Sequence, residues 1–284
     1  MCSRNQNTMI DEIFEKFDGA FAENTIRAYR SDFEQYSKWC ANKGVPPFPA
    51  TANNLALYVD DLSSACKSAT IRRRVNSLGT IFKLSRNPDP TKNPEVVLSL
   101  KRMHRKIERH QNQAEPLTYE TIEQLLSLCT NDARGLRNQV LLLLGYETMR
   151  RRSELCSFCF EDMQHSPTLG NVLWLRKSKT DQFGEGRPIA ISGRLCDLIQ
   201  EWRGVCGPDG PILRGVDKHG NVTAKLNPGS VGMIINALNL KSGVKSYSGH
   251  SFRVGKALDL FAKGKSIEQI MIKGGWQTIP SALT

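Results

Sequence analysis

Long hydrophobic runs are missing from this 284-residue sequence. The longest purely aliphatic stretch, Val140 to Leu144, is far too short to cross a bilayer, which takes about 20 residues. The N-terminus (MCSRNQNTMIDEIFEKFD) has no apolar stretch of signal-peptide length and carries acids. Repeats and low-complexity segments are absent as well. These absences exclude a membrane span, a secreted precursor and a solenoid, and the expectation is a soluble protein of the cytoplasm. Eight cysteines are present, but a second closely spaced pair is lacking. Cys156 and Cys159 have metal or redox spacing, while Cys196 and Cys206 are too far apart to complete a zinc site. Cys156 also lies in an apolar stretch with Leu155, Phe158 and Phe160, which favours buried structural thiols; a thiol- or zinc-dependent protein is the alternative.

What the sequence does have is basic charge on an ordinary globular background. Apolar residues make up 39%, enough for a core, and the length suits two domains. The formal net charge is +11. It is shared: residues 1–115 hold 18 basic and 13 acidic side chains, and residues 116–284 hold 21 and 15. Two basic halves point to one polyanion touched by both.

The first hundred residues read as a small helical bundle. From Asn24, a plausible N-cap, the apolar positions Ile26, Tyr29, Phe33, Tyr36 and Cys40 step along one helix face, with Gly44 as a stop. A second helix starts near Thr51 with Leu55, Val59 and Leu62. A third carries Ile71, Val75, Leu78 and Phe82, and its arginines Arg72, Arg73 and Arg74 fall largely off that stripe. A fourth starts near Pro94, with Val96, Leu100, Met103 and Ile107 inward and Lys101, Arg102, Arg105, Lys106 and Arg109 outward. These faces, with Arg27 and Arg30 one turn apart on the first helix, are candidates for phosphate contacts. Solvation is the bland alternative.

The polar stretch 110–116, ending in proline, reads as a linker. Beyond it a helix starts at Thr118, and NQVLLLLGYETM (138–149) reads as a buried helix. The runs 171–176 and 187–192 form a β-hairpin across KSKTDQFGEG. A second turn lies at 217–220. Helices resume around 194–205, 229–240, 250–263 and 266–273. The expected fold is mainly α with a small antiparallel β-hairpin or sheet in the C-terminal domain.

Three polar groups stand out in that domain. Arg151 and Glu154 follow the buried helix three residues apart, so they share a face. Lys179 lies in the hairpin. His250 and Arg253 are three apart at a helix start. Two separated arginines, a lysine and a histidine suit one phosphodiester, because guanidinium forks match phosphate oxygens and stabilise charge that builds in a transition state. Lysine or histidine can protonate a leaving alkoxide. No carboxylate cluster suited to magnesium lies nearby in sequence, so the chemistry need not be metal-assisted. Singly, each group fits ordinary surface chemistry; their order and surroundings are the signal.

Arg-x-x-Glu after a buried helix, a hairpin lysine, His-x-x-Arg and then Gly274-Gly275-Trp276, in this order, resembles the tyrosine site-specific recombinases, or phage-type integrases. The segments ENTIRAYRSDFEQYSKWC and SGHSFRVGKALDLFAKGKSIEQIMIKGGW extend the resemblance over nearly the whole chain. It implies a two-domain clamp on double-stranded DNA: residues 1–109 as a helical core-binding domain, 110–116 as linker and 117–284 as catalytic domain. It also implies roles. Arg151 and Arg253 would clamp the scissile phosphate, Lys179 would be the general acid, His250 would move the nucleophile's proton, Glu154 would support the site, and Trp276 would pack and hydrogen-bond at the phosphate. No metal or cofactor is implied. The partner is duplex DNA, with a monomer in solution and a tetramer assembled on DNA.

One departure from the family is decisive for activity. Its nucleophilic tyrosine normally follows this tryptophan at a spacing that falls just past Thr284. The tyrosines present (29, 36, 58, 119, 146 and 247) do not occupy that position. The expectation is a truncated recombinase core that binds DNA without cleaving it; a non-catalytic DNA-binding regulator or decoy on the same fold is the alternative.

Overall fold

The computed structural model describes residues 11–107, 114–178, 185–240 and 247–278. The chain divides into two compact units, Met1–Gln111 and Asn112–Thr284. Of the stretch read as a linker, 114–116 is described and lacks regular structure, and the rest lies outside the described residues.

The first unit is helical. Residues 11–15 form a short helical stretch, followed by α1 (Glu23–Lys43), α2 (Ala52–Leu62), α3 (Ser68–Leu84) and α4 (Pro94–Lys106). Helix α1 packs along α3, and α2 along α4. Burial follows the apolar stripes: Phe33, Tyr36, Leu55, Leu78, Phe82 and Val96 share one cluster, and Val59, Ile71, Val75 and Met103 share a second. Gly44 ends α1 in a left-handed conformation, φ 67°, where glycine avoids the Cβ clash. The N-cap of α1 is Ala22 rather than Asn24, whose side chain instead accepts from Arg27.

The second unit is built around α6. Its elements are α5 (Tyr119–Ser127), α6 (Ala133–Thr148), the short α7 (Arg152–Leu155), β1 (Met163–Ser166), β2 (Gly170–Leu175), β3 (Arg187–Ala190), α8 (Gly193–Cys206), β4 (Arg214–Val216), β5 (Val222–Lys225), α9 (Ser230–Asn239), α10 (Ser251–Ala262) and α11 (Ile267–Gly274). Asp132 caps α6 by accepting from Gly135 N at 2.7 Å, and Val140 to Leu144 are all buried. Strands β1, β2 and β3 form an antiparallel sheet in that order, and β4 and β5 form a two-stranded one. Strand β1 was not expected: MQHS has no period-two alternation, and it is a strand because Met163 pairs with Leu173 of β2.

Two glycines let α10 lie against its neighbours, and that contact positions the functional residues. A Cβ on Gly145 of α6 would sit 2.7 Å from the Phe252 ring, and one on Gly255 would sit 1.9 Å from the Leu117 carbonyl oxygen. Gly255→Ala should therefore cost about 1–3 kcal/mol of stability, as overpacking does. A chemical denaturation midpoint equal to that of the parent would contradict this close approach.

Candidate active site

Two helix C-termini meet in the second unit. Helix α6 ends at Thr148, and its C-cap residue Met149 is left-handed (φ 54°) and buried with Ala257 and Ile270. Helix α11 ends at Gly274, with Gly275 left-handed (φ 68°). The last carbonyls of a helix lack intrahelical donors and carry partial negative charge, so they attract cations. Three guanidinium groups meet them here. Arg253 Nη1 donates to the Met149 carbonyl at 2.6 Å. Arg150 Nε donates to the Thr148 carbonyl at 2.7 Å, and its Nη2 donates to the Lys273 carbonyl. Arg187 Nη1 donates to the Ile272 carbonyl at 3.2 Å. The pairing of β3 with β2, Arg187 opposite Leu175, fixes where that last arginine leaves the sheet.

Arg151 is held differently. As the N-cap of α7 it donates through Nη1 to Glu154 Oε1 at 2.9 Å, while its backbone N–H donates to Glu154 Oε2 at 3.2 Å. Burial by itself would raise the Glu154 carboxyl, but these hydrogen bonds and the charges of Arg151 and Arg150 outweigh it and hold the pKa below the usual carboxylate range. Glu154 is thus an ionised, buried strut. Among the described residues it makes the one ion pair to these four arginines.

Arg253 and Arg150 are each 1% exposed. Burial, then the charges of neighbouring arginines, lower Arg253 to about 10; burial and Arg187 lower Arg150 to about 9. Both remain cationic at neutral pH. Arg253 Cζ lies 4.5 Å from the centre of the Trp276 ring, a cation–π stack. Its Nε is buried without a hydrogen-bond partner among the described residues.

His250 occupies the N-cap position of α10, on the turn 248–250. That turn rests on the Arg152 stem: a Cβ on Gly249 would lie 2.2 Å from Arg152 Cγ. Partial burial, then the charges of Arg253 and Arg151, push the His250 imidazole below the ordinary histidine value. It is neutral at pH 7. The unfolded chain binds this proton more tightly, so stability should rise with pH through the window just below 6.5. By NMR, with His250→Gln for assignment, the free protein should titrate below 6.5, and added duplex DNA should raise the midpoint by offsetting the cations. A midpoint at the ordinary value in the free protein would contradict this placement.

The structure thus brings Arg151, Glu154, His250, Arg253 and Trp276 together. Lys179 lies outside the described residues. Sequence reasoning missed three contributors: Arg150, which was visible only as part of a basic triplet, Arg187, which reads as an ordinary strand residue, and Gly249, whose close approach leaves no periodic trace.

The expected DNA-contacting residues of the first unit divide into two groups. Arg27 is exposed, and Arg72, Lys101 and Arg105 are exposed with no ion pair among the described residues. Arg30 is instead paired with Asp11 at 2.7 Å, and Arg102 lies 3.5 Å from Asp60. Arg73 and Arg74 both face Asp32, which is 1% exposed and also accepts from Ser77 Oγ at 2.7 Å. They hold α3 to α1, because a buried carboxylate must be paired. An open groove of about 360 Å³ beside them is lined by Tyr29, Arg72, Arg73, Asn76 and Thr80.

The thiol alternative fares poorly. Cys156 is buried, and burial lifts its pKa to about 11; burial also raises Cys159. Both stay protonated at neutral pH, whereas metal binding and nucleophilic attack need the thiolate. Among the described residues no three His, Cys, Asp or Glu side chains converge on one point, and no helix is long and apolar enough to cross a membrane.

Cations fixed by main-chain oxygens, with little negative charge nearby, suit a phosphoryl-transfer enzyme. Comparison with known proteins gives the same class and specifies it. Residues 115–282, more than half of the chain, match the phage integrase family, and the chain belongs to that family of tyrosine recombinases, enzymes that cleave and rejoin DNA. An integrase/recombinase XerD homologue of Selenomonas ruminantium is 29% identical over 250 residues, 83% of this chain and 73% of that protein. The recombinase Cre of Escherichia phage P1 is 26% identical over 285 residues, 92% of this chain and 82% of that protein. Among solved structures, a lambda integrase dimer bound to a COC′ core site aligns over 98% of this chain and 75% of that one, with a TM-score of 0.66 and 14% identity. XerH in a post-cleavage complex with palindromic difH aligns over 90% and 74%, with a TM-score of 0.67 and 14% identity.

Proposed function

We propose that this chain is the DNA-binding core of a site-specific recombinase and that its arginine cradle holds the scissile phosphate. The observation that carries this reading is the convergence of Arg151, His250, Arg253 and Trp276, from three separate stretches of sequence, with Glu154 bracing Arg151. Arg151 and Arg253 bind the non-bridging phosphate oxygens. Lys179 protonates the 5′ leaving oxygen. His250 moves the proton of the attacking tyrosine hydroxyl, Glu154 braces Arg151, and Trp276 packs and hydrogen-bonds at the phosphate. As the tyrosine oxygen bonds to phosphorus, the bond from phosphorus to the 5′ oxygen breaks. The 3′-phosphotyrosyl ester conserves the energy of the broken bond until another 5′-hydroxyl attacks it and releases the tyrosine. Negative charge grows on the phosphoryl oxygens meanwhile, and donors already in place stabilise it without reorganising.

In this reading residues 1–109 are the core-binding domain and 117–284 the catalytic domain, and the chain works in the cytoplasm. Lambda integrase has been solved as a dimer on a core site and as a tetramer on a Holliday junction. By analogy this chain is a monomer in solution that assembles on duplex DNA.

The test is selection of bound sequences from random duplexes, followed by a suicide-substrate assay on the selected site. Inverted half-sites around a short spacer are expected. A covalent adduct would place a nucleophile within residues 1–284; binding without an adduct would make residues 1–284 a DNA binder that does not cleave by itself. Failure to enrich any sequence would sink the reading.

A further inference from the structure

Arg150 stands one residue before Arg151, and none of the roles above uses it. It is 1% exposed, and no ion pair reaches it among the described residues. A buried cation in that condition is costly, and an apolar side chain of similar volume is often the more stable choice. What the guanidinium supplies is direction, because its planar fork sends donors along fixed lines. One line runs to the Thr148 carbonyl, the other to the Lys273 carbonyl, so Arg150 ties the end of α6 to the end of α11.

The chain beyond that tie is packed against it. A Cβ on Gly275 would lie 2.9 Å from Arg150 Nη1 and 2.6 Å from Arg187 Nη2. Trp276 comes next, stacks on Arg253, and Arg253 returns to the Met149 carbonyl beside Thr148. The contacts form a closed loop, in which Arg150 joins the two helix ends by hydrogen bonds beside the apolar packing of Met149 against Ile270 and Trp276.

We propose that Arg150 is a positioning residue for the phosphate cradle: it holds the end of α11 so that Trp276 lies on Arg253 and orients that guanidinium. The proposal rests on the reading that Arg253 binds phosphate. Arg150 itself stays buried and does not touch DNA.

Two measurements on the full chain test it. The first needs no DNA. Emission of Trp276 is isolated as the difference between each chain and its Trp276→Phe counterpart, and its acrylamide quenching is compared. Arg150→Met should increase that quenching, with Arg150→Lys intermediate; unchanged quenching in Arg150→Met overturns the proposal.

The second measurement is affinity for a random-sequence duplex across a salt series. Arg150→Met should bind about tenfold more weakly at fixed salt, a misplacement effect. Its slope of log affinity against log salt should match the parent. Arg253→Met should lose about 0.9 of slope, the amount for one phosphate contact. A reduced slope in Arg150→Met would make Arg150 a contact and refute the positioning role, as would unchanged affinity. Should Arg150→Met fail to fold, Arg150→Lys, which keeps the charge and loses the fork, decides by the same readouts. Absence of any duplex binding by the parent would defeat the functional reading, and the quenching result would still decide the link between Arg150 and Trp276.

Discussion

Arg253→Ala is expected to slow strand cleavage by about 10²-fold or more in single-turnover assays on a nicked suicide duplex, the scale for losing one fixed transition-state donor. The assay uses a chain extended to carry the family's tyrosine. The expectation rests on how this side chain is held. Its Nη1 is anchored at the Met149 carbonyl, one face lies under Trp276, and Nε is buried. A guanidinium so restrained cannot swing away as charge develops. Arg253→Lys should fall between the two, because lysine keeps the charge but loses the fork. Thermal melts separate catalysis from folding, since alanine also leaves the Met149 carbonyl without its donor. Cleavage near the parental rate in a folded Arg253→Ala chain would remove this residue from the active site.

Salt should produce the second large effect. If six phosphates are neutralised, duplex affinity should drop about 10³-fold between 50 and 200 mM monovalent salt. The surface supports several such contacts, but not every basic residue counts equally. Arg72, Lys101 and Arg105 have no ion pair among the described residues. Arg30, Arg73, Arg74 and Arg102 lie beside Asp11, Asp32 or Asp60 and would have to give up that partner to neutralise a phosphate. Arg72→Ala should therefore lower the salt slope by about 0.9, and Arg74→Ala should leave it unchanged. A flat dependence of affinity on salt would contradict phosphate binding by either unit.

The elements that sequence reasoning located were those with a strong period or a clear cap. The α1 stripe through Phe33, Tyr36 and Cys40 is buried, Thr51 caps α2 by accepting from Asn54 N, and Thr118 caps α5. The antiparallel pairing of β2 with β3 was legible from turn chemistry between two apolar runs. Strand β1 was not, because its four residues owe their conformation to a partner rather than to their own pattern. The site divides the same way. Arg151, His250 and Arg253 sit at fixed offsets within short motifs, and the fold brings them together. Arg150 and Arg187 act through main-chain carbonyls more than eighty residues away in sequence, and a main-chain acceptor leaves no mark on residue identity. The acidic partners of the arginine triplet were hidden for a related reason: Asp32 lies one helix away, on the inner face of α1.

The manner in which the arginines are tethered has a consequence in acid. A peptide oxygen has no proton to gain there, so the fastenings of Arg150, Arg187 and Arg253 do not depend on the protonation of an acceptor. The tether of Arg151 is the exception. Glu154 titrates below the ordinary carboxylate range, so the stability it confers is complete above that range and fades only as pH falls through its own lowered value. A mildly sour solution would therefore leave the tethers of all four arginines in place.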